Sequence, residues 1–299
     1  MDKDNPYKTV IDLKKKIAEK NNSSNKKQRH NDTQIIAITS GKGGVGKTNI
    51  VVNLGLAFMH LGKRVLIMDA DLGLGNIDVL LGLTHKYNLS HVLSGEKKIS
   101  EIIIEGPRGM KILPAASGIQ SMTCLTKDQR IKIIADLDSL LESIDILLID
   151  TAAGISSNVM YFNVSAHEII VVASPEPSSI TDAYALMKVL SIKYQEKKFR
   201  MIVNMVNSSH DSNEVFNQIS MVSNKFLDIS IDLLGCIFFD INIKKSVKRQ
   251  KAVYELYNAS KASRCFEVLA KKICGLPRPD SSETNNYFFW NNLLQKNFD

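Results

Sequence analysis

The sequence has 299 residues, of which 44% are hydrophobic and 23% are charged, and its formal net charge is +7. This composition excludes a wholly disordered chain and allows either one large α/β domain or two ordinary ones. Residues 1–30 hold nine Lys or Arg and four Asp or Glu, so that segment carries +5 of the total. The rest of the chain is therefore close to neutral, which disfavours a general nucleic-acid-binding surface.

The N-terminal segment, residues 1–33, reads as a basic and flexible tail. Within it, Val10, Leu13 and Ile17 follow helical spacing and predict a short amphipathic helix, either solvated or used to dock a partner. The segment has no apolar core of a secretory signal, and no run in the chain approaches the ~20 apolar residues that span a bilayer. We expect a cytoplasmic protein.

The central segment, residues 34–277, alternates short apolar runs with longer amphipathic segments, and we expect it to form one domain. The runs are apolar on both alternating faces, which is typical of parallel strands covered by helices on each side. The expected fold is α/β, with a doubly wound and mostly parallel sheet. The predicted strands are residues 35–39, 64–69, 111–115, 145–150, 168–174, 201–206 and 233–239.

The loop after the first predicted strand, GKGGVGKT (41–48), fits the phosphate-binding pattern G-x-x-x-x-G-K-[ST], and a helical run follows it. The loop predicts backbone N–H groups arranged around the phosphates of ATP. We expect Lys47 to reach the β- and γ-phosphates and the Thr48 hydroxyl to ligate Mg²⁺. The predicted nucleotide-contacting residues of this segment are Gly41, Lys42, Gly43, Gly44, Val45, Gly46, Lys47, Thr48 and Asn49.

The second lysine of the loop, Lys42, comes too early to share the role of Lys47. A further cation near the γ-phosphate is useful where negative charge develops during hydrolysis. Lys42 could supply it to a nucleotide held by a second subunit, as an arginine finger does. The loop therefore predicts an ATPase that switches by forming a homodimer.

The motif KGGVGKT resembles the deviant Walker A motif of the MinD/ParA ATPases, which have a P-loop NTPase fold of the SIMIBI type. The resemblance extends through residues 64–83 and 145–156 and covers most of residues 34–275. It implies that Lys42 crosses the dimer, that Asp71 orients the attacking water and that Asp69 is its partner at the strand end. Asp150 ends a Walker B strand and is expected at the metal with Thr48 and Asp69. Asn204 matches the residue that reads adenine.

Three segments are most similar to the FlhG (YlxH) branch of this family: residues 46–58, 174–190 and 233–270. The resemblance implies a slow ATPase that controls flagellum number and placement, and partners that include an FlhF-like GTPase and flagellar basal-body components. It also implies reversible association with the cytoplasmic face of the cell membrane. Two departures are IFFD (237–240), where relatives have proline, and a tail that lacks the Asp-Gln-Ala tripeptide of FlhF-stimulating relatives.

The C-terminal segment, residues 278–299, begins as a polar linker and ends in an amphipathic stretch that predicts membrane targeting. Its net charge is −1, so binding to a bilayer would depend on apolar area and on dimer avidity. The alternative is a tail packed on its own domain. The predicted membrane face comprises Tyr287, Trp290, Leu293, Leu294 and Phe298.

Other functions on the same fold remain as alternatives. Lys244, Lys248 and Lys251 share one predicted helix face, which is either solvated or contacts DNA or an acidic partner. A DNA-partition ATPase of the ParA type or a cell-division regulator of the MinD type is thus the second reading, although the near-neutral body makes DNA an unexpected partner. An iron–sulfur carrier would need clustered cysteines, and the four cysteines form no C-x-x-C pair.

Overall fold

The structure, a computed structural model, describes residues 33–276 except 117, 120, 121, 123, 124 and 142. The predicted N-terminal helix and the amphipathic C-terminal face lie outside the described residues, so both stay predictions. Among the helices of the described part, none combines the length and apolar character that crossing a bilayer requires.

Eight strands form one sheet, in the order β3-β4-β2-β5-β1-β6-β7-β8. All neighbouring strands pair in parallel except β3, which is antiparallel to β4. This confirms the predicted α/β fold. The strands are β1 (Gln34–Ser40), β2 (Val65–Ala70), β3 (Ile104–Glu105), β4 (Lys111–Leu113), β5 (Ile146–Ala153), β6 (Glu168–Ala173), β7 (Lys198–Val206) and β8 (Ser230–Phe238).

Helices cover both faces of the sheet, and short 3₁₀ turns at Ile99–Glu101 and Pro107–Gly109 complete the connections. The α-helices are α1 (Lys47–His60), α2 (Ile77–Leu81), α3 (Leu89–Leu93), α4 (Lys127–Leu141), α5 (Ser157–Ser165), α6 (Pro177–Tyr194), α7 (Ser209–Phe226), α8 (Ile241–Lys248), α9 (Val253–Leu256) and α10 (Lys261–Cys274).

The central strand β1 explains why the predicted strands are apolar on both faces. Ile36 and Ile38 pack into the core that α1 and α10 cover, whereas Ile35 and Ala37 face the opposite core. All four side chains are buried. Since successive side chains of a strand point to opposite faces, a strand between two helix layers has no polar side.

The parallel strands all end at one edge of the sheet, and the loops that follow them meet there. In folds of this type, ligands bind outside the carboxyl ends of the strands. Ser40, Ala70, Ala153, Ala173 and Val206 end five adjacent strands at this edge. The fold therefore brings the glycine loop and the predicted acidic residues together.

Candidate functional site

The glycine loop joins the end of β1 to the first residue of α1 and has the left-handed backbone that glycine favours. Gly44 has φ 80° and Gly46 has φ 90°. A Cβ atom on Gly46 would lie 2.5 Å from Nδ2 of Asn204, closer than side chains approach. Glycine at position 46 is thus required by backbone conformation and by the close approach of β7.

Asn204 binds the glycine loop directly. Its Nδ2 donates to the carbonyl of Val45 at 2.8 Å, and its Oδ1 accepts from the N–H of Met205 at 2.9 Å. The side chain is 5% exposed. This contact makes Asn204 a support of the phosphate loop, and no residue spacing indicates it. Its role in reading adenine stays a prediction.

Lys47 and Asp150 form the buried charged centre of the site. Burial lowers the pKa of Lys47, and the nearby carboxylates of Asp150 and Asp71 oppose that shift. Burial raises the pKa of Asp150 to about 7, against a hydrogen bond from the Thr48 side chain and the charge of Lys47. The structure therefore brings together Lys47, Thr48, Asp71 and Asp150, as expected.

Asp150 also gives the structural test for a divalent cation. Its Oδ1 is buried and accepts no hydrogen bond within the described residues. A buried carboxylate oxygen without a partner is costly unless a ligand satisfies it. A carboxylate beside a threonine hydroxyl is an oxygen donor set that suits Mg²⁺. The residues present therefore fit the expected metal.

Asp69 is held by the loop that follows β2. Its Oδ1 accepts from the N–H of Asp71 at 3.2 Å, and its Oδ2 accepts from the N–H groups of Asn76 and Ile77 at 3.0 and 3.2 Å. Burial and the neighbouring Asp150 raise its pKa well above the usual range. Both oxygens thus shape the loop that carries Asp71, and a direct contact of Asp69 with metal stays a prediction.

Asp71 occupies the start of this loop and is half-buried. Its Oδ1 accepts from the N–H of Leu74 at 3.2 Å, which closes a short turn. On the other side of the site, Gly154 has φ 93° and donates its N–H to the carbonyl of Ser40 at 2.9 Å. The exposed side chains Leu74 and Ile155 extend from these two loops, 72% and 54% accessible.

Lys42 contacts the N-terminal end of α6. Its Nζ forms an ion pair with Glu176 and donates to Oγ of Ser178 at 2.7 Å. The backbone also approaches α6 closely, because a Cβ on Gly41 would lie 2.1 Å from the carbonyl oxygen of Asp182. Sequence reasoning singled out residues 174–190 only as a family resemblance and missed their contact with Lys42.

Comparison with protein families finds a match to a family described as an AAA domain over residues 33–205. The antiactivator FleN of Pseudomonas aeruginosa is 43% identical over 262 residues, which cover 88% of this chain and 94% of FleN. The flagellum site-determining protein YlxH of Helicobacter pylori is 36% identical over 241 residues, 80% of this chain and 81% of YlxH.

Two solved structures share the fold with useful sequence identity. MinD in a MinC:MinD cell-division complex from Aquifex aeolicus superposes with a TM-score of 0.68 at 27% identity, covering 83% of this chain and 98% of that one. The septum site-determining protein MinD of Pyrococcus horikoshii, complexed with Mg-ADP, has a TM-score of 0.64 at 28% identity, covering 81% and 96%.

Proposed function

Because the chain belongs to the MinD/ParA family of P-loop ATPases, on the branch that includes FleN and YlxH, we propose that it is a slow, ATP-dependent dimerising switch that sets flagellum number or placement. The observation that carries this proposal is the separation of the two loop lysines. Lys47 is buried among the acidic residues of its own site, whereas Lys42 is one-third exposed and lies against α6.

Backbone and side-chain groups of one chain form the nucleotide site. The backbone N–H groups of residues 43–48 bind the phosphates, and Lys47 neutralises the β- and γ-phosphates. Thr48 and Asp150 would hold Mg²⁺, which would supply positive charge against the phosphate charge that develops in hydrolysis. Asp71 orients the attacking water from a loop whose shape Asp69 fixes. Loss of the γ-phosphate frees the backbone around Gly154 to move.

Dimer formation brings Lys42 to the nucleotide of a second copy. Lys42 must first leave Glu176 and Ser178. The free-energy cost of that step is small, because Lys42 is 32% exposed and Glu176 is 63% exposed. ATP would favour the dimer by offering Lys42 a more negative partner than one carboxylate. Hydrolysis removes that partner and returns the protein to the monomer.

The dimer is proposed to associate reversibly with the cytoplasmic face of the membrane through the tail around Trp290. Two tails on one dimer bind far more tightly than one, so nucleotide state controls the location. An FlhF-like GTPase and basal-body components are the proposed partners, by extension from the relatives.

Two substitutions test the switch. Asp71→Ala should trap the ATP-bound dimer, and Lys47→Ala should abolish it, because the first removes the group that orients water and the second removes phosphate binding. Light scattering on a sizing column, with ATP and with ADP, measures the mass. A monomeric Asp71→Ala protein in ATP would contradict the proposal. Glu214→Ala, on the exposed face of α7, is a control that should behave as wild type.

Membrane association has its own test. Liposome co-sedimentation compares the full chain with a chain ending at Thr284, each with ATP and ADP. Pelleting of the full-length ATP form alone is expected, whereas equal behaviour of both chains would rule out the tail as the anchor.

One observation favours a second function. Lys244 and Lys248 are exposed on α8, whereas the helix ends at Lys248 and Lys251 is exposed beyond it, so the three lysines do not share one helix as predicted. Such a surface fits DNA phosphates, as in a partition ATPase of the ParA type. ATP-dependent retention of DNA that weakens steeply with salt would favour this function over the membrane switch.

A further inference from the structure

The edge of the sheet opposite the nucleotide site carries exposed apolar side chains at two neighbouring helix ends. Helix α6 returns from the site to the start of β7, and α7 returns to the start of β8. Near their last turns, Ile192 is 59% exposed, Val222 is 39% exposed and Phe226 is 64% exposed. Phe226 is the last residue of α7.

The connections after the two helices bind each other. Nζ of Lys197 forms an ion pair with Asp228 at 3.2 Å, and the N–H of Ser230 donates to the carbonyl of Lys197 at 2.8 Å. The ends of α6 and α7 are therefore held side by side, which brings the exposed apolar side chains of their last turns to one edge of the domain. We call Ile192, Val222 and Phe226, with Lys193 and Lys225, the basal patch.

The charge around the basal patch is positive. Nζ of Lys193 lies 5.6 Å from the ring centre of Tyr194, and Nζ of Lys225 lies 5.3 Å from that of Phe226. Lys197 and Lys198 add two cations, whereas Glu196 and Asp228 are the acids of the two connections. Apolar side chains surrounded by lysines match the acyl and headgroup regions of an anionic bilayer, since lysine stems cover apolar surface while their ammonium groups reach outward.

The described chain ends at this same edge. Helix α10 runs back along β8, and Nζ of Lys272 donates to the carbonyls of Leu233 and Leu234 at 2.9 Å each. The helix ends at Cys274, two residues after this contact. Ten residues separate position 276 from Tyr287 and can span on the order of 35 Å, so the tail can reach the plane in which the basal patch lies.

We propose that the basal patch is a second membrane contact, which rests on anionic lipid while the C-terminal tail inserts. This inference rests on the proposed membrane association and extends it from the tail to the body of the domain. The tail itself carries a net charge of −1 and gives no electrostatic attraction. Lys193 and Lys225 supply that attraction, so the preference for anionic lipid comes from the domain.

The test measures binding of the full-length protein, with ATP and Mg²⁺, to phosphatidylcholine vesicles with and without phosphatidylglycerol. Each lysine near an anionic surface contributes about fivefold in affinity, so the combined Lys193→Gln and Lys225→Gln variant should bind the anionic vesicles roughly twentyfold more weakly. Its binding to neutral vesicles should not change. Phe226→Ser should weaken binding to both vesicles by about tenfold.

The matched control is Val268→Ser, because Val268 is also 64% exposed but lies in the middle of α10, away from the patch. It should bind as wild type. Light scattering in ATP without lipid must show the same dimer for every variant, which separates lipid binding from dimerisation.

Two results would overturn the inference while leaving the proposed switch intact. One is that the wild-type protein binds the vesicles and the variants bind them with the same affinity. The other is that Phe226→Ser binds vesicles more tightly than wild type, which would show that the C-terminal tail packs on the patch in the absence of lipid. If the wild-type ATP form binds neither vesicle, both the inference and the proposed membrane association are wrong.

Discussion

Replacing Asp150 by Asn should stabilise the nucleotide-free protein while removing its response to magnesium. The folded-state pKa of Asp150 is about 7, above its ordinary value of 3.8, because burial disfavours the charge. The difference between 3.8 and about 7 corresponds to roughly 4 kcal/mol when the group is fully ionised. The asparagine leaves its own buried amide partly unsatisfied, which costs about 1–3 kcal/mol. A net gain of roughly 2 kcal/mol is expected well above pH 7.

The pH dependence has a definite sign. A carboxyl group whose pKa is raised by folding stabilises the protein while protonated and loses that contribution as pH rises through its folded pKa. The wild-type free energy of unfolding should therefore fall by about 1 kcal/mol between about pH 6 and about pH 8 relative to Asp150→Asn. Urea denaturation of the two nucleotide-free proteins at both pH values measures this difference.

A matched control comes from Asp136 on α4, whose pKa is also raised by burial but which lies outside the site. Asp136→Asn should keep the wild-type gain in melting temperature on adding ADP and Mg²⁺, whereas Asp150→Asn should lose most of it. Equal unfolding free energies for wild type and Asp150→Asn at both pH values would refute the reasoning. A full magnesium response in Asp150→Asn would equally remove this residue from the metal site.

Three further substitutions examine the contacts of the glycine loop. Gly46→Ala should weaken ADP binding at least tenfold, because left-handed backbone costs about 1–2 kcal/mol for alanine and the new Cβ meets Asn204. A fluorescent-nucleotide titration measures it, and Gly62→Ala, with φ 78° but open space, is the control. Asn204→Ala should also weaken ADP binding by releasing the Val45 carbonyl, and unchanged ADP affinity would contradict that contact. Glu176→Gln should raise the association constant of the ATP-bound dimer by at most about 25-fold, since an exposed ion pair contributes under about 1 kcal/mol and each of the two copies releases one. A lower association constant in sedimentation would show that Glu176 supports the dimer.

The sequence predicted most of the sheet because buried parallel strands have a simple pattern. All seven predicted strands are present. The sequence did not predict β3, because Ile104–Glu105 is too short to show a periodicity. Its pairing depends on β4 lying beside it, which local sequence does not encode. The glycine loop was predictable because its conformation is set locally by glycine.

The contacts between distant segments were not predictable. Asn204 meets Val45 across 159 residues, and Lys42 meets Glu176 across 134. Hydrogen bonds at this separation depend on strand order and register, and no residue spacing reports them.

The contact of Lys42 with Glu176 has a consequence for how the protein would respond to its own abundance. In a twofold-symmetric dimer both copies must release this lysine, so the penalty for release enters the association constant twice. If a change in this contact alters the release of Lys42 by a given factor on one chain, it alters the association constant of the dimer by the square of that factor. The population of a dimer at low occupancy also rises with the square of copy number. In the proposed switch, a weak ion pair on each chain would thus set the protein concentration above which the dimer predominates.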